Sequence, residues 1–151
     1  MTNNFDKWIF PSVTFTPDSA IYGAGDSIGG ALSFDIGASA TGGGTIDTLL
    51  IADNEGIGAA GALWIFKQDL ATPVADNDAF APVFADFAKL LTVITIPSYV
   101  TVNSMKVATL ADINDSFKVD GGKLIAYLVP SGTPDWAASK SIYIRLGIRT
   151  Q

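Results

Sequence analysis

The chain carries fourteen aspartates and one glutamate against nine lysines and arginines, with neither histidine nor cysteine. Those absences narrow the chemistry sharply. Without imidazole there is no Ser-His-Asp triad, no histidine zinc site and no general base poised near neutral pH. Without thiols, cysteine nucleophiles and thiolate metal centres are excluded too. A Ser-Lys system needs Ser-x-x-Lys, and no serine here has lysine three positions on. Paired carboxylates are the catalytic option that sequence leaves open, because any two of fourteen aspartates can meet in a fold. The expectation is a protein that is not an enzyme and uses no cofactor.

Four other features invite a ligand. Gly56-Ile-Gly-Ala-Ala-Gly61 matches the dinucleotide fingerprint, with Asp76 twenty residues beyond Gly56. That fingerprint works only where it opens a helix whose N-terminus meets pyrophosphate. Here it runs into Ala62-Leu-Trp-Ile-Phe66 with Pro73 soon after, so a glycine-rich hairpin loop is expected. Asp76-Asn77-Asp78 offers the oxygen ligands calcium prefers, but the EF-hand order and its closing Glu are missing. An Asx-type turn is expected there, and no metal. Asn114-Asp115-Ser116 is a glycosylation sequon, which matters only in an exported protein. Of Trp8, Trp64 and Trp136, the candidates for a sugar-stacking platform, Trp64 sits mid-strand as core would. Trp136, in a loop after Pro134-Asp135, is the one expected at the surface.

The elements that must hold these residues are mostly strands. Asp favours turns whereas Glu favours helices, and fifteen Gly and seven Pro reinforce the bias toward turns. Val13 and Phe15 alternate with Ser12, Thr14 and Thr16, and Ile113, Phe117 and Val119 alternate with polar neighbours. At the C-terminus Ile142, Ile144, Leu146 and Ile148 face one way while Tyr143, Arg145 and Arg149 face the other. Further strands are expected over 28–34, 45–52, 62–66, 92–96, 105–110 and 123–129, separated by Gly- and Asp-rich turns. Eight or nine short strands imply an all-β, jelly-roll-like antiparallel β-sandwich. One short helix is expected over Pro82–Leu91, with Val83, Phe84, Phe87, Leu90 and Leu91 forming its buried stripe.

Two strands are apolar on both faces, Leu63-Trp64-Ile65-Phe66 and Leu124 to Val129. The second face of each must be covered by the helix, a loop or a neighbouring subunit. Residues 1–11 form no clear strand but carry Phe5, Trp8, Ile9 and Phe10. This aromatic arm docks on its own domain or latches a neighbour, and residues 12–151 form the single β-sandwich domain. Charged residues make up 16% of the chain and hydrophobic ones 48%, which implies either apolar surface left for a partner or a large core under a Ser/Thr/Asn surface. A net charge of −6 argues against nucleic acid. The N-terminus lacks the basic head and apolar stretch of a secretory signal. The longest charge-free apolar run, Leu90–Met105, is broken by Pro97 and is shorter than the ~20 residues of a membrane helix. A soluble protein with no membrane partner is expected, folded in a reducing compartment.

The succession Tyr22-Gly-Ala-Gly-Asp-Ser-Ile-Gly-Gly30, Leu63-Trp-Ile-Phe66, Asp76-Asn-Asp-Ala-Phe80, Lys123-Leu-Ile-Ala-Tyr-Leu-Val129 and Ile142-Tyr-Ile-Arg-Leu-Gly147 resembles small virion structural proteins of tailed bacteriophages. Capsid decoration (cement) proteins are among them. The resemblance spans roughly Tyr22 to the C-terminus and leaves the arm outside. It implies a homotrimer on the outer capsid surface, folded in the host bacterial cytoplasm and bound where major capsid protein subunits meet. A neck, tail or head-fibre base protein is the neighbouring alternative, and a carbohydrate-binding β-sandwich module the distant one. The residues singled out as a partner interface are Phe5, Trp8, Phe10, Trp64, Phe66, Tyr127, Tyr143, Arg145 and Arg149.

Overall fold

A computed structural model describes residues 7–37, 42–118, 122–138 and 140–150. Eleven strands and one short 3₁₀ helix appear among them. The strands are β1 (Lys7–Ile9), β2 (Ser12–Phe15), β3 (Ile28–Asp35), β4 (Gly44–Asp53), β5 (Gly61–Phe66), β6 (Leu90–Ile96), β7 (Val100–Val102), β8 (Met105–Leu110), β9 (Asp115–Phe117), β10 (Lys123–Pro130) and β11 (Ile142–Thr150). They form two antiparallel sheets. The larger is seven-stranded, in the order β1-β11-β4-β8-β7, with β2 also on β11 and β9 also on β4. The smaller is four-stranded, in the order β3-β10-β5-β6. The protein is an all-β sandwich.

Period-two patterning explains the register. On β11, Ile142, Ile144 and Leu146 point into the core opposite Asp53, Ile51 and Leu49 of β4. On the facing sheet, Leu63 and Ile65 of β5 and Leu124, Ala126 and Leu128 of β10 supply the other half of that core. A bulge at Gly147/Ile148 sets Ile148 against Ile46, so Asp47 has no partner across the ladder. The extra residue keeps Ile46 and Leu49 inside while both Asp47 and Thr48 lie between them.

The doubly apolar strands receive an intramolecular cover. Phe66, Leu70 and Tyr127 form a second buried cluster, with Trp64, Val74, Phe80 and Ile125 packed around it. Its lid is the β5–β6 connection, residues 67–89, whose neck is closed by a hydrogen bond from Lys67 N to Lys89 O at 2.9 Å. The Tyr127 hydroxyl donates to Asp69 Oδ1 at 2.5 Å and accepts from Val74 N at 3.4 Å, tying the lid to β10. Burial and the Asp69 hydrogen bond both push the Tyr127 hydroxyl above its usual titration range. Phe66 and Tyr127, singled out as partner residues, are both 0% exposed and belong to this interior.

Three further expectations need correction. The segment expected as a helix over 82–91 is a 3₁₀ helix at Phe84–Lys89, and Leu90 and Leu91 already belong to β6. Its apolar residues face outward, with Phe84 94% exposed, whereas Asp86 is the buried one. The cause is hydrogen bonding: Asp86 accepts from Ala71 N at 2.9 Å, Val83 N at 3.0 Å and Lys89 Nζ at 3.0 Å, which turns the polar face inward. Trp136, expected at the surface, is buried edge-on against Tyr22, because its own backbone N–H bonds Ala20 O and draws the loop onto the core. Lys7–Ile9 is a strand, paired with the end of β11 through Trp8↔Arg149. The described part of the arm is thus the edge of the larger sheet.

Candidate functional site

The outer face of the seven-stranded sheet brings three of the singled-out residues together. Strand register aligns Arg145 of β11, Leu50 of β4 and Thr109 of β8 in one row. That row floors a groove of about 690 Å³ whose wall is Trp8 and Phe10. The two rings lie 10° from parallel with centroids 5.9 Å apart. The Arg145 guanidinium sits 5.5 Å from the Phe10 centroid, a cation–π contact worth ~0.5–1 kcal/mol at a partly exposed site. Trp8 and Phe10 nevertheless remain 43% and 55% exposed.

Gly147 lies beneath the wall, packed against Thr48 of β4. A Cβ at this position would collide with Thr48 Oγ1 and stand 3.4 Å from the Phe10 ring. Pro11 O accepts the Leu146 N–H at 3.0 Å and pins the link between β1 and β2 beside it. The remaining outward residues of β11 flank the groove. Arg149 forms an ion pair with Asp47, the bulge residue, and also reaches Asn114 Oδ1 at 3.4 Å. Tyr143 lies half-buried between Thr14 and Ala52. Phe5 lies outside the described residues.

A second apolar surface is convex. Val83, Phe84 and Phe87 are 53%, 94% and 46% exposed on the knuckle formed by the 3₁₀ helix. Residues three apart on a 3₁₀ helix eclipse, so Phe84 and Phe87 stand side by side. The Asp86 bonds and the Lys89 Nζ contact to Asp69 O at 3.0 Å fix the backbone beneath them. Sequence reasoning assigned these phenylalanines to a buried stripe; the signal pointing the other way was Asp86 among them. It also missed Leu50 and Thr109, whose outward direction follows only from the register with Arg145.

The motifs that invited a ligand are occupied by the chain itself. The Asp53 carboxylate accepts the backbone N–H groups of Glu55, Gly56, Ile57 and Gly58 at 2.9 to 3.3 Å. Those are the amides a pyrophosphate would need, and the loop leads into β5. Asp76 accepts from Asp18 N, the Tyr22 hydroxyl and Gly29 N at 2.6 to 2.9 Å, with Asn77 at φ 63° completing the turn. Burial, then the bond to Asp76, raises the Tyr22 hydroxyl above its ordinary range. Trp64 is half-buried against Phe80 at 5.3 Å between centroids. Among the described residues no helix is long and apolar enough to cross a membrane. No family model matches the chain, and no curated protein matches it significantly.

Proposed function

We propose that this chain is a bacteriophage virion structural protein without enzymatic activity. In this reading it is a self-associating capsid decoration protein of jelly-roll type, a homotrimer that binds across junctions between major capsid subunits and stabilises the shell. The observation that carries the reading is the nesting of the strands. β2 pairs with β11, β3 with β10, β4 with β8 and β5 with β6, while β11–β4 and β10–β5 join the pairs into two sheets. This nesting supports the jelly-roll reading, an architecture used by viral capsid and lectin domains. The resemblance carried by residues 22 to the C-terminus supports the same reading. So do two exposed apolar surfaces on a chain with few charges.

Such a role needs surfaces rather than a reaction centre. Binding across subunit junctions lowers the free energy of the assembled shell, and mass action converts occupancy into stability. One observation favours the carbohydrate-binding alternative, the parallel Trp8–Phe10 pair. Against it, the Arg145 guanidinium covers the Phe10 ring, whose face a sugar would need. The test adds purified protein to bare shells assembled from the major capsid protein encoded with it. Saturable attachment and a higher shell melting temperature are expected. No attachment, with binding to a glycan array instead, would replace this reading with the carbohydrate one. Attachment to tail or neck assemblies alone would move the protein to another part of the virion.

A further inference from the structure

We propose that Asp86 is the latch of a lid, holding two arms of the 67–89 connection closed over the four-stranded sheet until its carboxylate takes up a proton. The arms are residues 67–74, leaving β5, and residues 81–89, returning to β6. Opening them uncovers Phe66, Leu70 and Tyr127, and the device stands independently of the virion reading. One carboxylate spans both arms. It accepts from Ala71 N at 2.9 Å on the outgoing arm. From the returning arm it accepts Val83 N and Lys89 Nζ, each at 3.0 Å.

Apolar burial does not hold the returning arm down. Within Phe84–Lys89 the buried residue is Asp86, while Val83, Phe84 and Phe87 all point outward. The outgoing arm buries Leu70, with Val74 half-covered beside it. A buried carboxylate is tolerated because three donors converge on its two oxygens. A neutral carboxyl is a weaker acceptor and places an O–H donor among donors already there. The charged form is therefore the one that closes the lid.

The middle of the connection is fastened differently. Asn77 N donates to Ser27 O and Ser27 N to Asp78 O, both at 2.8 Å, and Phe80 N donates to Gly25 O at 2.9 Å. Such backbone bonds do not titrate, so residues 75–80 stay docked while the arms on either side move. Asp76 reinforces that dock through Tyr22 and Gly29. Around Asp86 itself, Lys89 pairs with the carboxylate and also donates to the Asp69 carbonyl at 3.0 Å. Asp69 in turn bonds the Tyr127 hydroxyl of β10, which senses the Asp86 charge through space. Lys67, across the neck, is exposed. The Ala71 bond first, and then Lys89, hold the Asp86 carboxyl below its ordinary range. The latch is thus fully engaged above the unfolded value of 3.8 and is lost as pH falls through the folded pKa.

Binding of Nile red, an uncharged apolar dye, to the full chain tests the latch alongside far-UV circular dichroism. In the wild type, dye fluorescence should rise as pH drops below about 4 while the strand signal persists. Asp86→Asn, which mimics the neutral carboxyl, should bind dye already at neutral pH. Its hydrogen exchange should be faster in 67–74 and 81–89 but not in 75–80. Lys89→Met keeps the carboxylate and should move the dye transition to higher pH, because a cation that favours the charged form is gone. That variant decides the matter should Asp86→Asn fail to fold. A folded Asp86→Asn that binds no more dye than the wild type at neutral pH overturns the proposal. So does a wild-type dye transition that coincides with loss of the strand signal, or one that Lys89→Met leaves unmoved.

Discussion

Asp53 illustrates how a single side chain converts a ligand-like motif into a structural one. Its buried carboxylate satisfies four consecutive backbone donors of the loop 55–58, a task no neutral group of the same size performs. Replacing it with Ala leaves several donors unpaired, and each unsatisfied buried group costs ~1–3 kcal/mol. Asp53→Ala should therefore lose about 3 kcal/mol in urea denaturation, and Asp53→Asn, which keeps one acceptor oxygen, about half as much. Equal losses in the two variants would mean that packing rather than the oxygens sets the cost. Gly147 makes the matching steric case. Gly147→Ala should cost about 1–3 kcal/mol through overpacking against Thr48, and adding Thr48→Ala should recover most of it. A double variant no more stable than the single would show that the crowding lies elsewhere.

At the scale of elements, the β5–β6 connection is the segment whose behaviour depends on one titration. Backbone bonding from Ala71 comes first among the causes that hold the Asp86 carboxyl below its ordinary value, with Lys89 and Val83 adding to it. Because the folded pKa is depressed, its contribution is fully present above the unfolded value of 3.8 and disappears as pH falls through the folded pKa. Hydrogen exchange at the Ala71 amide should be slow at neutral pH and accelerate as pH is lowered below about 4, once corrected for intrinsic rates. In Asp86→Asn that amide should already exchange faster at neutral pH, with little further pH dependence. An Ala71 amide protected equally in both proteins would remove Asp86 as the anchor. The same connection explains why the helix was misread. Periodicity reports a face but not its direction, and here hydrogen bonds to Asp86 reversed the usual polarity of the stripe.

For the whole molecule, the distribution of cations sets what can be seen in binding. Arg149 is engaged by Asp47 on its own subunit, whereas Arg145 meets an aromatic ring and forms no ion pair among the described residues. Arg145→Ala should leave stability within about 1 kcal/mol, because the charge is partly exposed and its contact with Phe10 is weak. It should weaken attachment to the bare shell and flatten the salt dependence of that attachment, measured as occupancy across a salt titration. Occupancy unchanged at every salt concentration would take the groove out of the capsid interface and leave the strand-order case for a decoration protein as it was.

The sequence by itself determined the all-β class and nine of the eleven strands, because alternation along a half-buried strand is a local consequence of its environment. It missed Lys7–Ile9 and Val100–Val102, three-residue strands too short for a period to register. It singled out Trp8, Phe10 and Arg145 as candidates for a partner surface without revealing that they adjoin. Their meeting depends on an edge strand pairing with β11 and on the bulged register of β11 with β4, both fixed by residues roughly ninety or more positions apart. Only the tertiary structure decided which apolar side chains are core. Phe66 and Tyr127 lie inside and Phe84 outside because the 67–89 connection folds back over one sheet, a long-range choice that local hydropathy does not encode.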